Sequence, residues 1–127
     1  MIKRIIALTL TLLVIISCSG EVTVTNPAQE VSEVAEKSMA LEFPDVIDIS
    51  TTRFEMLTGA PDRYCVELGS SIFLESQNIY VDFPGIYLVS QVGNTWEAVI
   101  QEEWANYLQD NSIRVAVEMG WQDCLGK

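Results

Sequence analysis

The chain has 127 residues, 49% of them apolar, and 18 acidic against seven basic side chains, for a formal charge of −11. That length bounds one domain, the apolar content is too high for a disordered chain, and the acidic excess opposes binding to nucleic acid or anionic headgroups while favouring cationic partners. Histidine is absent, which removes the commonest acid–base group and every His-dependent triad.

Lys3 and Arg4 open the chain with positive charge, and Ile5 to Ile16 follows without a charged residue. A single transmembrane helix needs about 20 apolar residues, so this run is too short to span. A basic start, a short apolar stretch and a small residue at its end describe a secretory signal peptide. Ile15-Ile16-Ser17-Cys18 then resembles the lipobox of bacterial lipoproteins, with Ile15 where Leu is usual and Ser17 where Gly or Ala is usual. The resemblance implies cleavage after Ser17, diacylglycerol on the Cys18 thiol, and acylation of the new amino terminus. Several acyl chains hold a protein firmly, since each buried CH₂ contributes about 0.8 kcal/mol. Ser19, in place of the Asp that often marks inner-membrane retention, leans towards the periplasmic face of an outer membrane if the source is Gram-negative.

The expected organisation is a signal peptide at 1–17, a lipidated tether at 18–26, and one α+β domain at 27–127. The mature charge becomes about −13, from five basic and eighteen acidic residues. The tether extends at most roughly 25–30 Å at about 3.3 Å per residue. With Cys18 reserved for lipid, Cys65 and Cys124 are an even pair in an exported chain. Their disulfide would close a loop worth about 4 kcal/mol in the chain-entropy model.

Asn26-Pro27 starts a helix, and Val31, Val34, Ala35, Ser38 and Met39 recur at helical spacing until Pro44; the first helix is Ala28 to Glu42. From Val46 the period is two, through Ile47–Ile49, Phe54–Met56, Tyr64–Leu68 and Ile72–Glu75. Ile79–Phe83 and Ile86–Val92 read as a hairpin about a type II turn at Pro84-Gly85. Trp96, Val99, Ile100, Trp104, Tyr107 and Leu108 share one face of a second helix, capped by Asn94 and Glu97. Ile113 to Trp121 alternates as a last strand. The expected fold is an antiparallel sheet of about five or six strands with two helices packed on it.

Ser112 to Trp121 also resembles part of the helix-turn-helix of AraC-type regulators, which implies DNA binding; export and acidic charge contradict that implication. No nucleophile motif, phosphate-binding loop or metal-ligand spacing occurs, so no catalytic residue, metal or cofactor is expected. Glu102 and Glu103 point about 100° apart on a helix and share no site, though Glu103 borders the aromatic stripe and could be partly buried. Trp121, late in the chain, is a candidate anchor for a partner, since Trp is enriched at interface hot spots.

The reading is therefore a non-catalytic, membrane-anchored envelope lipoprotein that binds another envelope protein, cationic by charge complementarity, as an assembly, accessory or exclusion factor would. The alternatives are an acidic inhibitor of a basic secreted hydrolase such as a lysozyme, and a carrier of an apolar ligand. The mass of membrane-extracted protein should match residues 18–127 plus a diacylglyceryl and an acyl group, and should gain two hydrogens on reduction. The mass of unmodified residues 1–127 would refute both expectations.

Overall fold

A computed structural model describes residues 27–126 of the chain. The expected signal peptide, the expected lipid site Cys18 and the expected tether fall outside these residues. Helix α1 is Pro27–Glu42, one residue longer at its start than the spacing predicts. It buries Val31, Ala35 and Met39 along one stripe.

Strand β1 is Ile47–Leu57 and β2 is Ala60–Leu74. Each unites two runs that read as separate short strands, because β2 stays paired along most of its length. β3 is Ile79–Asp82, β4 is Gly85–Val92 and β5 is Thr95–Ile100. The sheet is antiparallel in the order β1-β2-β4-β5, with β3 also paired to β2. Helix α2 is the single turn Trp104–Tyr107, and α3 is Ile113–Leu125.

β2 serves two cores at once, because successive side chains in a strand point to opposite faces. Val66 and Leu68 join Tyr87 and Val89 of β4 beneath α1. Cys65 faces the other way and joins Ile86, Val117, Trp121 and Cys124 beneath α3. The sheet is thus covered by helix on both faces. The Cys65–Cys124 disulfide ties its central strand to the last turn of α3, with Cα atoms 6.1 Å apart.

The α+β class and the antiparallel sheet match the sequence reading, while three local assignments change. Pro84-Gly85 is not a hairpin turn: β3 and β4 lie in sequence along the same β2 strand. Gly85 lacks the positive φ of a type II turn. It is buried instead, where a Cβ would stand 2.6 Å from Met39 Cε, so the missing side chain lets α1 settle on the sheet.

Trp96 to Ile100 is strand, not helix. Val92 pairs with Thr95 across Gly93-Asn94, and Gly93 has φ of 65°, as the first position of a two-residue II′ loop requires. Once β5 pairs with β4, Trp96 packs against the α1-side core and Trp104 against the α3-side core. The aromatic stripe expected on one helix is split between two faces of a sheet.

Ile113 to Trp121 is helix, not strand. Ser112 caps it by accepting a hydrogen bond from Val115 N–H, and Gly126 ends it at φ 82°. Val117, Trp121 and Cys124, with Ala116 and Gly120, form a stripe at helical spacing against the sheet. Alternation and helical spacing both fit this segment, and the packing surface decides between them.

Replacing both Cys65 and Cys124 with alanine should lower stability by about 2–5 kcal/mol and loosen α3 first. Denaturant unfolding measures the loss, and hydrogen exchange along α3 locates it. An unchanged midpoint would show that the bond constrains little.

Candidate functional site

Two clefts meet at the pole of the domain where α1 ends. The larger, about 680 Å³, lies between the end of α1, the β3–β4 junction, the end of β5, α2 and the start of α3. Met39, Phe43, Phe83, Pro84, Ile100, Trp104, Leu108 and Ile113 give it apolar walls, and Asp82, Glu102 and Glu103 stand among them as carboxylates. Phe43 and Phe83 brace one side edge to face, with ring centroids 5.0 Å apart. Apolar walls with a few polar groups are the usual composition of a binding cleft.

Each wall has a local cause. Phe43 N–H donates to Met39 O at 2.8 Å, continuing the helical turn before Pro44 turns the chain away. Phe83 N–H donates to Ser70 O at 2.9 Å, and Ser70 Oγ returns a bond to Phe83 O at 2.7 Å. This pins the β3–β4 junction to β2. Trp104 sits over Gly120 of α3, and Tyr107 O–H donates to Asp123, so α2 is held against α3. The Asp123 bond raises the Tyr107 pKa.

The second cleft, about 600 Å³, is more polar and shares Asp82, Phe83, Pro84 and Ile113 with the first. At its floor Arg53 of β1 donates through Nε to Glu67 at 2.8 Å and through Nη1 to Glu118 of α3 at 2.9 Å. Its guanidinium carbon stands 4.4 Å from the centre of the Trp121 ring, within cation–π range. Burial opposes the Arg53 charge, but the bonds to Glu118 and Glu67 outweigh it and raise its pKa. Hydrogen bonds from Gln122 and then Arg53 hold the Glu118 carboxyl below its ordinary value. Arg53 fastens α3 to the sheet, which gives this cation a structural task.

Trp121 is 2% exposed and lies in the core beneath α3. It offers no surface to a partner, because it faces inward at helical spacing with Val117 and Cys124; the expected anchor role is withdrawn. Glu103 is exposed rather than partly buried, because the helix whose apolar face it was to border is a strand followed by one turn. Cys65 and Cys124 are brought together. Among the described residues, no three His, Cys, Asp or Glu side chains converge as a metal would require, and no helix is long and apolar enough to cross a membrane. Met39, Phe43, Phe83, Ile100 and Trp104 were each legible as apolar, yet nothing local marks them as one wall. The Gly93-Asn94 pair was the signal for β5, and β5 is what brings Ile100 to the cleft.

No family model, curated protein or solved structure matches this chain.

Beside the cleft, Tyr87 O–H donates to Glu42 Oε1 at 3.1 Å beneath α1. Burial and then the Glu42 bond push the phenol well above its ordinary value of 10.0. A raised pKa in the folded state gives stability that is present below pH 10 and lost as pH rises through the folded value. Tyr87→Phe should cost about 1–2 kcal/mol at neutral pH and flatten the alkaline fall in stability. Unfolding curves on both sides of pH 10, with near-ultraviolet phenolate absorbance, measure both effects. An identical alkaline fall in the variant would refute this role.

Proposed function

We propose that this chain is an exported lipoprotein, anchored through lipid on Cys18 after removal of residues 1–17, that binds a cationic envelope protein at the larger cleft. The observation that carries the reading is apolar walls combined with Asp82, Glu102 and Glu103, in a chain with a net charge of −11. The walls suit an apolar side chain, and the carboxylates favour basic residues around it. Long-range charge of one sign also speeds encounter with an oppositely charged partner.

The position of the cleft suits an anchored protein. The chain enters α1 at Pro27, while Met39 and Phe43 at its far end line the cleft. Sixteen helical residues span about 24 Å. A tether ending at Pro27 would leave the cleft at the opposite pole from the attachment point.

Capture from envelope extracts by the full-length protein tests this. The wild type should recover one specific envelope protein at low ionic strength. A Glu102→Lys, Glu103→Lys double variant should recover about tenfold less, and added salt should mimic the loss. Recovery no different from a tag-only control, or unaffected by the double variant, would refute docking at this cleft. If stoichiometric protein instead blocks a lysozyme-like enzyme, inhibition of a basic hydrolase replaces it.

A further inference from the structure

The sheet has unequal edges. β1 carries register shifts between Ile47 and Ser50, Thr51 and Arg53, and Met56 and Leu57, and Asp48 adds a left-handed φ of 58°. Bulges and irregular backbone blunt an edge against pairing. β5 at the other edge pairs with β4 in unbroken register from Tyr87↔Ile100 to Val92↔Thr95. Thr95–Ile100 contains no Lys or Pro, the residues that commonly guard an edge.

The direction of the free backbone groups follows from the ladder. Gln101 N–H donates to Ile86 O at 2.7 Å. Antiparallel ladders bond alternate residues, so Val99, Glu97 and Thr95 also direct their backbone groups towards β4. Trp96, Ala98 and Ile100 direct theirs outward. Their side chains turn to the α1 side of the sheet, where Trp96, Ala98 and Ile100 border the core. Glu97 and Val99 are exposed on the opposite face. Ile100 lines the larger cleft, with Glu102 and Glu103 just beyond.

We propose that the partner binds by adding an extended basic segment as a sixth strand along β5, with one end entering the larger cleft. This rests on the cleft being the docking site and adds how the partner is read. Three outward residues supply main-chain hydrogen bonds, which give affinity without sequence preference, while side-chain pockets give selectivity. Strand side chains alternate, so apolar residues fall on the α1 side and basic residues fall beside Glu97. Continuity with the cleft places the last apolar side chain against Ile100. Charge selects this occupant over a second copy, because a β5–β5 pair would join two chains of −11 each and bring Glu97 near its own counterpart.

The probe is a short capped peptide alternating valine and lysine, titrated into the full-length protein. It should bind, and it should slow hydrogen exchange at Trp96, Ala98 and Ile100. Ala98→Pro removes one outward N–H while leaving the β4 ladder intact, and should weaken binding about tenfold or more. The same peptide N-methylated at alternate amides keeps its charge and side chains, and should fail to bind. Equal binding of the methylated peptide would overturn strand addition while leaving cleft docking intact. Strand addition that is indifferent to Glu102→Lys, Glu103→Lys would instead sever the edge from the cleft. No binding of the unmodified peptide, or a protein dimer dissolved by Ala98→Pro, would overturn the proposal.

Discussion

Cys65 occupies the middle of the central strand, and Cys124 the last turn of the last helix. The bond between them spans 59 positions and decides how the second face of the sheet is closed. α1 covers its face with the apolar stripe of Val31, Ala35 and Met39, and hydrogen bonds from Thr51 to Glu36 and from Tyr87 to Glu42 join it to the sheet. α3 buries Ala116, Val117, Gly120, Trp121 and Cys124, and beside its covalent tie it has Arg53 reaching from β1 to Glu118 over the Trp121 ring. A partly exposed ion pair contributes little alone. Together with the disulfide and the Trp104–Gly120 contact, it sets where α3 and α2 lie, and their position makes both clefts.

The polar and apolar clefts share a wall but differ in chemistry. In the more polar one, Arg53 is committed to Glu67 and Glu118 and so is spent on holding the fold, and Arg114 adds a second positive charge to the lining. In the apolar one, Asp82, Glu102 and Glu103 have no such commitment. That contrast, more than cleft size, directs the functional reading towards a cationic, apolar-tipped partner. The regular edge of β5 leads into the same cleft, so backbone and side-chain recognition would meet at Ile100.

Much of the first half of the domain was legible in the sequence. Val31, Ala35 and Met39 at helical spacing, with Pro27 before them and Pro44 after, gave α1 within one residue. Alternation at Ile47, Phe54, Tyr64 and Val66 marked strands, though where each strand stopped depended on its neighbour. The pairing of Cys65 with Cys124 followed from counting thiols. The second half misled because its residues satisfy two periods. Trp96, Ile100, Trp104 and Tyr107 trace a helical stripe, yet Gly93 permits a tight II′ loop and β4 offers a partner strand. Ile113, Val115, Val117 and Trp121 alternate, yet Ser112 caps a helix and Val117, Trp121 and Cys124 meet the sheet.

The sequence by itself determined the class of fold, the first helix, the cysteine pair and the charge, because these rest on local spacing, composition and parity. Tertiary structure decided which strands pair, which face each tryptophan joins, and that a cleft with acidic borders exists at all. Such features arise where segments distant in the chain compete for the same buried surface. A local pattern that suits two conformations is resolved only by the partner that covers it.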